Sequence, residues 1–360
     1  MITGHGGNIY KLAKQNGCRP EDIIDMSSNL NPLGPPPGLL EFLQQNISVI
    51  RALPDAGADC LIEKFAAIHE IDKGQVLAGH GTTEFIYSMT KSLQIKNALI
   101  LGPTYSDYQD SCLRNETRYA FLMAEESTGF AHDPDRISEQ VKNKDMVFIC
   151  NPNNPTGTSI PTRSIHRICA ANPNTIFVID ESYYPFIDDE KISGMIRTNL
   201  KNVIVLTSMS KIFSIPGLRT GFLKASPEIA GRCRQYQVPW NVNSLAQTAV
   251  DYILSHFREM NAFVQKTRDF IQTEQDHFIG RFQHISALSF FPGRVPYILI
   301  RLNNGLTAET VCETLAKDNI LIRNCTNFDG LTDRYIRVAL KSRPANRMIA
   351  DKLIQLVNRI

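Results

Sequence analysis

Ser208-Met209-Ser210-Lys211-Ile212-Phe213, followed by Arg219, is the stretch on which the reading of this chain turns. Immediately upstream, Val203-Ile204-Val205-Leu206-Thr207 is a short apolar run of the kind that forms a buried strand. Lysine ordinarily keeps its ammonium in water while its stem covers apolar surface. A lysine among small hydroxyl residues at the end of a buried strand is therefore unusual. Drawn into an enclosed site, its amine loses a proton readily and becomes a Schiff-base nucleophile. Taken alone, the stretch serves equally as a surface loop closed by a lysine, so its neighbours in sequence decide.

On either side of this stretch, strands and helices alternate. Residues 76–79, 98–101, 146–150, 175–180, 203–207 and 221–225 read as strands, with helices at 85–93, 105–113 and 162–171 between them. That alternation predicts an α/β fold whose sheet is mainly parallel, with helices on both faces. Beyond Asn241 the pattern changes. A helical region at 244–278 contains no proline, and strands at 297–302, 320–323 and 335–339 follow, with helices at 308–318 and 347–360. The expected division is an N-terminal arm (1–35) contributing to the small domain and active site, a large domain (36–245), and a linking helix with a smaller α+β domain (246–360).

Composition narrows the function. The chain has 360 residues, 43% apolar and 21% charged, with a net charge of +2, which is ordinary for a soluble globular protein. Basic residues are scattered, which argues against a nucleic-acid partner. No apolar run approaches the ~18 residues that span a bilayer, and the opening residues lack the basic and apolar regions of a signal peptide. The eight cysteines form no C-x-x-C pair, so neither a disulfide frame nor a metal site is expected. The expectation is a cytoplasmic protein.

Several segments fall where parallel strands end, the edge at which open α/β sheets bind ligands. Gly81-Thr82-Thr83 opens a helix, and its free N–H groups can receive a phosphate. Tyr105, in Gly102-Pro103-Thr104-Tyr105, can cover a planar heterocycle. Asn151-Pro152-Asn153-Asn154-Pro155-Thr156-Gly157 is a rigid loop directly after a buried strand. Asp180 ends an apolar strand, where a lone carboxylate is expensive unless it meets a cation such as a protonated pyridine nitrogen. Ser208, Ser210 and Arg219 supply donors for a dianion around Lys211. This inventory matches pyridoxal 5′-phosphate.

The loop at 151–157, then Asp180-x-x-Tyr183, then Ser208-x-Ser210-Lys211 with Arg219, resembles the signature of the aspartate-aminotransferase-like (fold type I) enzymes, over nearly the whole chain. The resemblance implies that Lys211 joins the cofactor aldehyde and Asp180 holds the pyridinium N–H. Asn154 and Tyr183 would bond the phenolic oxygen and Tyr105 would stack on the ring. The backbone at Gly81, Thr82 and Thr83, with Ser208, Ser210 and Arg219, would hold the cofactor phosphate. His5-Gly6-Gly7-Asn8 and Ser27-Ser28-Asn29-Leu30-Asn31-Pro32, with 238–243, 320–325 and 335–339, are similar to the threonine-phosphate decarboxylases of cobamide synthesis.

By that likeness Arg323 and Arg337 recognise the substrate's phosphate and carboxylate, and His5, Gly6, Gly7 and Asn29 complete the anion site. The implied activity is decarboxylation of L-threonine O-3-phosphate or L-serine O-phosphate by a homodimer. A histidinol-phosphate-type aminotransferase and a non-catalytic cofactor-binding regulator are the alternatives. Two positions depart from the family pattern. Leu53 stands where a tyrosine reaches the neighbouring subunit's cofactor phosphate, and His80 stands where asparagine is expected.

Overall fold

The computed structural model describes residues 6–187 and 194–358. Thirteen strands run through them in chain order: β1 (Ile24–Asp25), β2 (Val76–Gly79), β3 (Asn97–Gly102), β4 (Arg118–Met123), β5 (Met146–Cys150), β6 (Ile176–Asp180), β7 (Val203–Ser208), β8 (Gly221–Lys224), β9 (Leu288–Phe291), β10 (Tyr297–Leu302), β11 (Ile320–Leu321), β12 (Arg323–Asn324) and β13 (Tyr335–Ala339). Seven of them form one sheet in the order β2-β8-β7-β6-β5-β3-β4. β8 runs antiparallel to both its neighbours, and the pairs from β7 to β4 are parallel.

The inner strands read as unbroken apolar runs because both faces are covered. Along β5, Met146, Phe148 and Cys150 pack with Phe85, Met89, Cys112 and Ile229, whereas Val147 and Ile149 pack with Ile137, Ile165 and Ile168. The period of two in the strand thus feeds two separate helical layers. Edge strand β4 escapes the sequence reading because Arg118 and Ala120 are exposed and its apolar signal is diluted.

A second, antiparallel sheet, β12-β13-β10-β9, packs on helices Phe257–Gly280, Ala308–Ala316 and Arg343–Val357 through Phe278, Ile298, Val311, Val338 and Leu353. Two expectations are corrected here. The single strand expected at 320–323 is two: β11 pairs in parallel with β1, and after Ile322 the chain switches to β12, which pairs with β13. The helix expected at 244–278 is also two, Ser244–Ser255 and Phe257–Gly280. At the break, His256 leaves helical geometry at φ −107° and ψ 40°, and its ring Nδ1 lies 2.8 Å from the Tyr252 carbonyl, which also accepts the His256 N–H at 3.1 Å. Absence of proline was not enough to keep that helix continuous.

The parallel strands end at Gly102, Cys150, Asp180 and Ser208 on one edge, and the start of β8 lies beside them, Gly221 pairing with both Gly79 and Ser208. The 151–157 loop leaves this edge and meets the second sheet's turn at Gly293, where a Cβ would collide with the Gly157 backbone. Gly293→Ala is therefore expected to destabilise the chain by about 1–3 kcal/mol, read as a lower urea midpoint.

Candidate active site

The one-turn helix Met209–Ile212 begins at Ser208, whose Oγ accepts the Ser210 N–H at 3.3 Å. The turn carries Lys211 into the wall of a cavity of about 550 Å³ at the sheet edge. Burial lowers its amine to about 8, the Arg219 and Arg337 guanidinium groups add to the effect, and Asp180 and Asp107 oppose it. Part of the Lys211 population is therefore a neutral nucleophile near physiological pH.

Asp180 lies one strand over, at the end of β6, and is buried. Its Oδ1 accepts the Ser182 N–H at 2.9 Å and its Oδ2 accepts the Tyr108 hydroxyl at 2.8 Å. Burial raises the Asp180 carboxyl, while the bonds from Ser182 and Tyr108 and the Lys211 charge act the other way. Tyr105 also lines the cavity, 5.8 Å from Tyr108 in an edge-on arrangement.

The Asn-Pro loop divides its labour. Asn151 ties the loop to Ile160 through both side-chain atoms, at 3.1 and 2.8 Å. Asn153 bonds the Pro103 carbonyl and Thr104 at 2.8 and 2.7 Å. Asn154 alone of the three lines the cavity, and its Oδ1 accepts a bond from Arg337. Gly81, Thr82 and Thr83 open helix Thr82–Ser92 beside Arg219. Gly81 has φ +76°, and a Cβ there would stand 2.8 Å from the Arg219 guanidinium. The positive φ calls for glycine, and any side chain there would push the Arg219 guanidinium from its place.

The opposite wall comes from the second sheet and the N-terminal segment. Arg337 on β13 donates to Asn154 and, at 2.8 Å, to the Ser27 carbonyl; its ring-facing side lies 5.3 Å from the Tyr297 ring. Arg323 on β12 donates to the Asn324 carbonyl at 2.7 Å and to Asn327 at 2.6 Å, and sits over Phe328. Burial lowers the Arg323 guanidinium to about 10, and Arg337 contributes. Among the described residues neither arginine forms an ion pair with a carboxylate. Gly7 donates to Ser27 Oγ at 2.7 Å, and Gly6 lies so close to Ser27 that a Cβ would be 2.6 Å from its carbonyl oxygen. Asn29 donates to the Tyr183 hydroxyl at 3.1 Å, so its amide reaches the tyrosine first.

Every site residue expected from sequence within the described range lines this one cavity: Gly6, Gly7, Asn29, Gly81, Thr82, Thr83, Tyr105, Asn154, Asp180, Tyr183, Ser208, Ser210, Lys211, Arg219, Arg323 and Arg337. His5 lies outside the described residues. Tyr108, Ser27 and Phe328 are also in the wall and were not singled out. Tyr108 left a signal, one helical turn after Tyr105. Phe328, in a loop past β12, left none.

The class I and II aminotransferase family model matches residues 21–353, and the chain belongs to that family. Its fold is the aspartate-aminotransferase-like fold type I. Within the family, it is 32% identical over 357 residues to the threonine-phosphate decarboxylase of Salmonella typhimurium, covering 98% of this chain and 96% of the relative. It is also 32% identical over 355 residues to the adenosylcobalamin biosynthesis bifunctional protein of Leptospira interrogans, matching 97% of this chain but spanning only 40% of that longer protein. The crystal structure of L-threonine-O-3-phosphate decarboxylase from Porphyromonas gingivalis superposes with a TM-score of 0.83 at 28% identity, over 93% of this chain and 100% of that one. Histidinol-phosphate aminotransferases are relatives too, below 30% identity.

Pyridoxal 5′-phosphate, the cofactor of these enzymes, fits the residues present. The buried Ser210 Oγ has no partner among the described residues, and the Gly81 cradle beside Arg219 is open because no side chain fills it. A primary amine and a buried carboxylate complete the donor set. Treating the cofactor-free chain with pyridoxal phosphate and trapping with borohydride should label Lys211 with a rate that rises as pH climbs through about 8. The check is mass spectrometry of the 209–219 region, and a midpoint above 10, as for a solvated lysine, contradicts the burial argument.

Proposed function

We propose that this chain is a pyridoxal-phosphate-dependent decarboxylase of an O-phosphorylated hydroxy-amino acid. The substrate is L-threonine O-3-phosphate or L-serine O-phosphate, and the product is aminopropanol or ethanolamine phosphate for a cobamide nucleotide loop. One observation carries the reading beyond the cofactor: two buried guanidinium groups, Arg323 and Arg337, face the Lys211 cavity and have no carboxylate partner among the described residues. Burying two unpaired cations is costly, and a substrate with a phosphate and a carboxylate offsets that cost.

When bound, pyridoxal phosphate supplies an electron-poor ring that accepts the electron pair left at Cα as CO₂ departs. The remaining work falls to the chain. Ser208, Ser210, Arg219 and the N–H groups at Gly81–Thr83 hold the cofactor phosphate. Asp180 keeps a proton on the ring nitrogen. Asn154 and Tyr183 bond the phenolic oxygen; Asn154 spends its Oδ1 on Arg337 and keeps its amide N–H₂ for this purpose. Arg323 takes the substrate phosphate beside the Gly6 backbone, the Gly7 N–H being held by Ser27 Oγ, while the Nε of Arg337, which has no partner among the described residues, is available to an anion. Holding the phosphate at Arg323 and the carboxylate at Arg337 would restrict the substrate's rotation about Cα and so select which bond there is broken. Lys211, with its amine near 8, returns a proton to Cα.

The working unit in this proposal is a homodimer. Leu40, Ile47, Ile50, Leu53, Val238 and Trp240 are exposed, and the Trp240 N–H bonds the Ala56 carbonyl, drawing the two exposed segments together. An apolar face of that kind suits a second copy.

Incubated with L-threonine O-3-phosphate and no 2-oxo acid, the holoenzyme should release CO₂ and aminopropanol phosphate in equal amounts. Conversion that needs a 2-oxo acid and releases no CO₂ favours the aminotransferase reading. Cofactor binding without turnover of either kind favours a regulator. Arg323→Gln should raise KM for the phosphorylated substrate on the order of tenfold or more, with a smaller change in kcat, since a charge-assisted bond to a ground-state group is lost.

A further inference from the structure

Tyr108 has no part in the function described above, yet its side chain is among the largest that are fully buried. Its hydroxyl donates to Asp180 Oδ2 at 2.8 Å, and its ring stacks on Phe148 of β5, centroids 5.1 Å apart and planes inclined by 20°. The phenol therefore has one fixed direction, set by a packed ring on a helix that begins two residues after Tyr105. The second carboxylate oxygen is held by the Ser182 N–H. Between them the two donors leave Asp180 a single orientation.

We propose that Tyr108 is a positioning residue for the reaction: its hydroxyl holds Asp180 ionised and aimed into the cavity, so that the carboxylate meets the cofactor's ring nitrogen. The inference rests on the cofactor role assigned to Asp180. A buried carboxylate is stable as an anion only where donors or cations compensate its lost water. The groups facing it are Tyr108, Cys150, Glu181, Tyr183, Lys211 and Tyr297. Cys150, Glu181, Tyr183 and Tyr297 are themselves driven toward their neutral forms by burial. Lys211 is partly neutral near pH 8 and is committed to the cofactor aldehyde. Compensation of the anion thus falls mainly on Ser182, through its hydroxyl and its N–H, and on the Tyr108 hydroxyl, which alone of these reaches Asp180 from another element of the fold.

Tyr108→Phe tests this, because it keeps the ring and its stacking and deletes only the hydroxyl. The variant should fold, bind pyridoxal phosphate on the order of tenfold or more weakly, and lose kcat by a similar factor with little change in KM. The ring nitrogen of its bound cofactor, read by nitrogen NMR of labelled cofactor, should titrate at lower pH than in the parent, since a less anionic Asp180 holds the ring proton less firmly. The same substitution in an Asp180→Asn background should have almost no further effect on cofactor affinity or spectrum. A Tyr108→Phe defect that persists in full in that background, or a chain that no longer folds, makes the hydroxyl merely structural and overturns the proposal. If Tyr108→Phe matches the parent while Asp180→Asn loses the cofactor, the Tyr108 inference alone falls. If Asp180→Asn itself binds the cofactor and turns over normally, the cofactor role of Asp180 falls, and the Tyr108 proposal with it.

Discussion

A carboxylate and an amine at the ends of neighbouring parallel strands govern this structure. β6 ends on Asp180 and β7 on Ser208, three residues before Lys211, and the strands pair with Asp180 opposite Leu206. Because the strands run in parallel, both groups emerge on the same edge, and the helices on either face keep water from reaching them sideways. Neither charge is comfortable there. The amine shifts toward neutrality and the carboxylate is raised by burial, which is the usual mark of a site built for proton and electron-pair chemistry rather than for stability. One antiparallel strand, β8, completes the edge by returning Arg219 to the Gly81 turn.

The second half of the cavity is made of different material. Arg323 and Arg337 stand on adjacent antiparallel strands, directly opposite each other in register. Two like charges side by side repel, and here they are held by neutral acceptors: Asn324, Asn327, Asn154 and the Ser27 carbonyl. Those acceptors fix the guanidinium forks without neutralising them, so the positive potential stays available to a ligand. Ser27 is the join between the two halves. Its carbonyl holds Arg337, its hydroxyl receives the Gly7 N–H, and Asp25 Oδ1 accepts from that hydroxyl at 2.6 Å. The N-terminal segment is thereby part of the same wall as the arginine, although more than 300 residues separate them in sequence.

The parallel sheet was legible because strands buried on both faces write themselves as uninterrupted apolar runs, as 146–150, 176–180 and 203–207 do. The cavity-lining residues of the large sheet were legible because their motifs sit directly after those runs, where the chain has no choice but to turn at the sheet edge. β4 was not, since only Leu122 of its six residues is buried, and the break at His256 was not, since a local departure from helical backbone geometry leaves no mark on hydrophobic period. The split of 320–323 between two sheets was hidden for a similar reason: a change of partner strand need not change composition.

Sequence by itself therefore determined the class of fold, the lysine and carboxylate, and the set of residues gathered at the edge, because each is a local consequence of pattern and turn chemistry. Only the tertiary structure decided what each polar atom spends its bonds on. It turned Asn151 and Asn153 into loop pins and left Asn154 for the cavity, put the Asn29 amide on Tyr183, and set Tyr108 against Asp180. Hydrogen-bond pairing depends on which distant segments meet and on which donors have been buried away from water, and neither is written in any one stretch of chain.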